Sequence, residues 1–140
     1  MRFDAALAAQ EAFQRAQVEL GPDWHQAVEL EELFSSNAGA PARRAYESLL
    51  TIAGHHPSAS SYHAFCIYIT WQQAAEETVP RHFHTGMKLC ESYLANRDGK
   101  DALDVERVVD LYASFRAGLG LDEENEIEAE YRRDTPKGGD

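Results

Sequence analysis

The segment at residues 62–77, YHAFCIYITWQQAAEE, constrains the fold of this chain more than any other stretch. It places six large aromatic or isoleucine side chains within ten positions and then continues into glutamine, alanine and glutamate without a turn signal. Aromatic and β-branched residues favour strands, but an uninterrupted segment from about 59 to 77 is longer than a typical strand. We therefore interpret it as a central helix whose first half is apolar on most sides because neighbouring helices cover it. A serine at 58, 60 or 61 is expected to cap its start.

The same segment does not predict a membrane anchor. A transmembrane helix needs about 18 or more consecutive apolar residues, whereas this run contains His63 and ends in polar groups. The sequence opens without an apolar leader, and its two cysteines do not form the pattern of a secreted disulfide framework. We expect a cytoplasmic protein that does not bind a membrane. Cys66 and Cys90 remain either small core thiols or a disulfide across a helical hairpin.

Helical periodicity and turn residues divide the rest of the chain. Helices are predicted at about residues 4–20, 24–34, 42–53, 59–77, 80–95 and 102–117, separated by short stretches rich in Gly, Pro, Ser or Asn. Short connections make consecutive helices antiparallel neighbours. The predicted fold is all-α, with about six antiparallel helices in a bundle or a stack of helical hairpins. The helical domain is expected at 1–121, followed at 122–140 by an acidic segment with a disordered tail.

Apolar residues at helical spacing predict which face of each helix is buried. Gly86 is expected to let another helix approach closely, and Gly118 to form a left-handed C-cap. The expected buried positions include Ala6, Phe13, Ala16 and Leu20 in the first helix, Phe83, Met87, Cys90 and Leu94 in the fifth, and Val105, Val108, Val109, Tyr112 and Phe115 in the sixth.

The charge of the chain restricts its partners. A formal net charge of −11 repels the phosphate backbone of nucleic acids, so we expect no nucleic-acid binding. The acidic residues concentrate at Glu29, Glu31 and Glu32 and in the first part of the C-terminal segment, at residues 122–130. From here on, the name acidic segment refers to residues 122–130 only. Such groups are common on solvated surfaces, but they also attract a basic partner over long distances.

No sequence motif identifies a reaction. The chain lacks a G-x-S-x-G elbow, a glycine-rich phosphate loop and an H-E-x-x-H motif. His63 and Cys66 share a helical face, as do His25 and Glu29, but neither pair supplies the three or four ligands of a zinc site. We expect no catalytic residues, no metal and no cofactor.

Four residues form a candidate anion-binding site at the start of the fifth helix. Arg81, His82, His84 and Lys88 concentrate cationic or titratable groups where free N–H groups and the helix dipole favour an anion. The competing interpretation is that Arg81 and Lys88 pair with nearby glutamates, while His82 and His84 point in different directions.

Two functional hypotheses follow from these features. The first is a small acidic helical interaction module, non-enzymatic, acting as an adaptor, chaperone or regulator of a basic partner or pairing with its own copy. The alternative is a small-molecule anion-binding protein or enzyme with a pocket at the N-terminus of the helix that begins at Pro80.

Overall fold

The computed structural model describes residues 3–36, 39–95, 99–121 and Ile127. Each regular element within these ranges is helical, which confirms the all-α class. The α-helices are α1 Ala5–Leu20, α2 Trp24–Ser35, α3 Ala40–His55, α4 Ser60–Glu76, α5 Pro80–Leu94 and α6 Ala102–Gly118, and a 3-10 turn at Gly21–Asp23 joins α1 to α2. The predicted central helix is therefore confirmed as α4. Apart from Ile127, the predicted C-terminal segment and tail lie outside the described residues.

The chain divides into two compact units, unit 1 at Met1–Ile69 and unit 2 at Thr70–Asp140, and the division falls within α4. The predicted domain limits at 1–121 and 122–140 remain a prediction. Within the described ranges, no helix combines the length and apolar character that crossing a bilayer requires.

Aromatic rings from three elements form the centre of unit 1. Phe13 of α1 is buried, and its ring centroid lies 4.5 Å from Trp24 and 4.6 Å from Phe65. Tyr62 lies one turn before Phe65 on α4 and is fully buried. Such offset aromatic contacts stabilise a core beyond the area that they bury. The prediction that Ala6 is buried is wrong, because Ala6, in the first turn of α1, is exposed.

The start of α4 is capped by a carboxylate from α1. The backbone N–H groups of Ser61 and Tyr62 donate to the two carboxylate oxygens of Glu19, each at 3.1 Å. The first N–H groups of a helix have no partner within the helix, so an acceptor and a negative charge both stabilise this end. The sequence predicts a serine cap close to the start of α4 and does not indicate Glu19, because this residue precedes Ser61 by 42 positions.

Replacement of Glu19 by alanine is expected to lower the free energy of unfolding by about 1–2 kcal/mol, because two N–H groups lose their acceptor. Urea denaturation monitored by circular dichroism measures this change. Glu11→Ala is the matched control, since Glu11 is exposed on the same helix. Equal effects of the two substitutions would show that the contact contributes nothing specific.

In unit 2, α5 and α6 pack as an antiparallel pair. Gly86 of α5 faces the ring of Phe115, and three residues further along α6 Gly118 faces the ring of Phe83. The contacts therefore run in opposite directions along the two helices. Phe115 is fully buried, with edge contacts to Trp71 at 5.4 Å and to Phe83 at 6.5 Å. The expected close approach at Gly86 is confirmed, and an aromatic side chain makes it.

The buried faces of α5 and α6 differ in part from those expected. Phe83, Met87 and Val105 are half-buried. Some residues that were not among the expected core positions are buried instead, and three of them are polar or small: His82 and Gly86 on α5 and Asp104 on α6. Hydrophobic periodicity could not find them, because it assigns polar residues to the solvent side.

The end of α6 also corrects a prediction. Leu121 N–H donates to the carbonyl of Arg116 at 2.8 Å, and Gly120 N–H donates to that of Ala117 at 3.0 Å. This is a Schellman arrangement, and the left-handed residue in it is Gly120, with φ of 79°. The prediction that Gly118 fills this role is wrong. Gly118 is instead helical, and a Cβ there would lie 2.5 Å from the ring of Phe83.

Candidate functional site

Three of the four candidate anion-binding residues lie on one exposed face of α5. Arg81, His84 and Lys88 are all exposed, and their spacing of three and then four residues keeps them within about 60° of one another around the helix. We call these three residues the basic stripe of α5. His82 projects from the other side and is only 3% exposed.

A glutamate lies beside two of these cationic groups. The Glu77 carboxylate oxygen Oε1 is 3.5 Å from His82 Nε2 and 3.9 Å from Arg81 Nη2. The backbone N–H of His82 donates to the carbonyl of Val79 at 3.1 Å, within the first turn of α5. The four residues thus divide between a buried imidazole next to Glu77 and the basic stripe, and anion binding by all four together remains a prediction.

Lys88 belongs to a second polar group that links α5 to α6. Its Nζ lies 3.6 Å from Glu91 Oε1, while the hydroxyl of Tyr112 donates to Glu91 Oε2 at 2.8 Å. The guanidinium of Arg116 lies 5.9 Å from the centre of the Tyr112 ring, a cation–π distance. Lys88 keeps 62% of its side chain exposed despite this pairing. It therefore remains accessible to an anion from solvent.

Two histidines of unit 1, His56 and His63, make structural contacts. His56 Nε2 lies 2.6 Å from Asp23 Oδ2, which joins the end of α3 to the start of α2. His63 Nε2 hydrogen bonds to the carbonyl of Ala53 at 3.2 Å. His25 and Glu29 are both exposed. In the part of the chain that the structure describes, no three or more His, Cys, Asp or Glu side chains cluster as metal ligands would.

Both cysteines are free and fully buried. Burial raises the pKa of the Cys66 thiol well above its ordinary value, and a hydrogen bond with Tyr62 opposes this only in part. Burial, with the nearby charge of Glu91, likewise raises the pKa of Cys90. Both thiols are therefore protonated at neutral pH, whereas a nucleophilic cysteine must be an accessible thiolate.

Tyr62 and Cys66 share one backbone acceptor in the core of unit 1. The hydroxyl of Tyr62 donates to the carbonyl of Leu49 at 2.8 Å, and Cys66 Sγ lies 3.9 Å from the same oxygen. Burial, reinforced by the adjacent Cys66 thiol, raises the pKa of the Tyr62 hydroxyl far above its ordinary value. This buried group ties α4 to α3 and offers no access to a substrate.

The exposed side of α2 carries two carboxylates and a leucine. Glu29 and Glu32 are exposed, and Leu33, one turn beyond Glu29 on the same side of the helix, is 45% exposed. We call these three residues the acidic face of α2. Ala27 is the buried residue of this helix, and its sequence contains no lysine or arginine. The helix therefore presents negative charge that no basic residue of the same helix offsets.

A similar surface occurs on α6 and was missed from the sequence. Leu103 is 50% exposed, and Glu106 and Asp110 are exposed at three and seven residues beyond it. These positions lie on one side of the helix. The same spacing is visible in the sequence, but hydrophobic periodicity assigns a leucine to the buried side of a helix and therefore does not predict an exposed one.

Comparisons with protein-family models, with curated protein sequences and with solved structures gave no significant match. Functional inference therefore depends on the surfaces described above.

Proposed function

We propose that this protein is a non-enzymatic interaction module that binds a basic protein partner through the acidic face of α2. The observation that carries this proposal is the exposed Leu33 one turn beyond the exposed carboxylate of Glu29, with the exposed carboxylate of Glu32 on the same side of the helix. An apolar side chain flanked on one side by like charges suits a partner with an apolar anchor and a neighbouring basic group. The net charge of −11 attracts such a partner over long range and disfavours nucleic acid.

The helical arrangement supports this role. Helix α2 packs on α3 in unit 1, and α5 packs on α6 in unit 2. We infer antiparallel hairpins as the building blocks of the fold, each with one side left for a partner. An adaptor, chaperone or regulator would use such a surface. Two buried free thiols suit a reducing compartment, so the cytoplasm is included in the proposal.

The proposal predicts that Glu29→Gln/Glu32→Gln weakens partner capture more than a matched loss of charge elsewhere. The control is Glu11→Gln/Glu76→Gln, which removes the same two charges from exposed positions on α1 and α4. Both variants and the unchanged protein are immobilised and exposed to cell extract at about 50 mM and about 300 mM salt, where screening differs strongly. Captured proteins are identified and quantified by mass spectrometry.

A basic protein captured by the unchanged chain and the control, but lost in Glu29→Gln/Glu32→Gln and at high salt, supports the proposal. Equal losses in the two variants would mean that net charge alone drives capture. Capture that depends on neither carboxylates nor salt would contradict the proposed surface. Leu33→Ser then tests the apolar anchor in a purified complex.

The basic stripe of α5 favours a second candidate, the binding of a small anion. Arg81, His84 and Lys88 share an exposed face, and Arg81 keeps 65% of its side chain exposed. If a phosphate compound binds there, it raises the melting temperature of the protein, because a ligand that binds the folded state stabilises it. The increase should disappear in Arg81→Ala. A panel of phosphate compounds without any effect would exclude this candidate.

A further inference from the structure

We propose that the basic stripe of α5 is a docking surface for the acidic segment of the same chain. The segment at residues 122–130, DEENEIEAE, contains six carboxylates and no basic residue. The stripe groups Arg81, His84 and Lys88 on one exposed side of a helix in a protein of strongly negative net charge. Opposite charges of this density on one chain attract each other at a high effective concentration.

The described structure brings the start of the acidic segment close to the N-terminal end of α5. Gly118 at the end of α6 faces the ring of Phe83, which lies in the first turn of α5 on the side that packs against α6, around the helix from the basic stripe. The Schellman arrangement that closes α6 extends to Leu121, directly before the first carboxylate of the segment. The segment therefore begins beside the N-terminal end of α5, where the helix dipole adds positive potential.

The length of the segment is sufficient. Nine extended residues reach about 30 Å, whereas the distance along α5 from Arg81 to Lys88 is about 10 Å at the helical rise. Ile127, in the middle of the segment, is half-buried.

The existing ion pairs of the stripe leave room for the segment. Arg81 lies 3.9 Å from Glu77 and Lys88 lies 3.6 Å from Glu91, and both basic side chains remain more than half exposed. Exposed pairs of this kind contribute little free energy. Additional carboxylates can therefore approach both cations without breaking a buried interaction. Because the stripe and the segment belong to unit 2, docking does not involve the acidic face of α2.

Paramagnetic relaxation enhancement tests this proposal on the full chain. Ala129→Cys introduces a thiol into the segment without removing a carboxylate, and the burial of Cys66 and Cys90 favours spin labelling at the new cysteine. We expect loss of amide signal intensity along residues 81–88 of α5 at low salt. The intensity should recover at high salt and in Arg81→Gln/Lys88→Gln, but not in the control Arg43→Gln/Arg44→Gln, which removes two exposed charges from α3.

Circular dichroism establishes that each variant keeps its helical content. Loss of intensity that persists in Arg81→Gln/Lys88→Gln, or no loss along α5, would overturn the proposal. Mixing spin-labelled protein with isotope-labelled protein lacking the spin label separates docking within one chain from docking between copies. Relaxation seen only in this mixture would identify a second copy as the occupant and would also overturn the proposal.

Discussion

Replacing Gly86 with alanine is expected to lower the free energy of unfolding by about 2–3 kcal/mol, because it overpacks the core of unit 2. A Cβ at this position would overlap the ring of Phe115, at a separation that real Cβ atoms do not show. The ring is fully buried and is held by edge contacts with Trp71 and Phe83. It cannot move aside without displacing these neighbours. Thermal and urea denaturation measure the loss.

Two other glycines provide graded controls for this prediction. Gly54 in α3 has open space around its Cβ position, so Gly54→Ala is expected to be neutral or to stabilise the helix by up to about 1 kcal/mol. Gly118→Ala should have an intermediate effect, because the Phe83 ring that it meets is only half-buried. Phe115→Leu should cost less in the Gly86→Ala background than in the unchanged protein, since the two sites are in contact. If Gly86→Ala behaves like Gly54→Ala, the close contact is not present.

The second large effect is expected at alkaline pH, where the two buried thiols should make the protein progressively less stable. Burial raises the pKa of both cysteines in the folded protein above the ordinary value of 9.0. Above pH 9 the unfolded chain loses these protons while the folded protein keeps them, so their contribution to stability is complete below pH 9 and falls as the pH rises. Each thiol that stays protonated only in the folded protein lowers the free energy of unfolding by about 1.4 kcal/mol per pH unit.

Urea denaturation at several pH values between about 8 and 11 measures this dependence, because its slope counts the protons released on unfolding. Cys66→Ala and Cys90→Ala each remove one titrating group, so each should reduce the slope by about one proton, whatever stability it loses at pH 8. Tyr62 should add a further proton above pH 10.0, its ordinary pKa, for the same reason. A slope that is unchanged in both cysteine variants would show that the thiols ionise without unfolding.

The candidate site shows the limits of the sequence clearly. The spacing of Arg81, His84 and Lys88 already predicts a common face, because 100° of rotation per residue is a local property of the helix. That His82 is buried near Glu77 depends on what packs against α5, and the spacing alone could not show it. The spacing of the leucines and carboxylates on α2 and α6 is likewise visible in the sequence, but the exposure of Leu33 and Leu103 became known only from the structure.

The ends of helices follow the same distinction. Two glycines lie near the end of α6, and sequence rules favour either as the left-handed residue. The ring of Phe83 lies against Gly118, while Gly120 adopts the positive φ. Similarly, serines near the start of α4 are plausible caps, yet the carboxylate of Glu19 receives the N–H groups.

By itself the sequence determined that this protein is all-α, where its helices run and how strongly it is charged. Helices depend on hydrogen bonds between residues four positions apart and end at local turn residues, so each segment specifies its own helix. The net charge is a sum over the composition and needs no structure. The tertiary structure alone decided which glycine admits a ring, which carboxylate caps α4 and which leucines remain exposed. Each of these depends on side chains that are remote in sequence, and the sequence does not specify their distances.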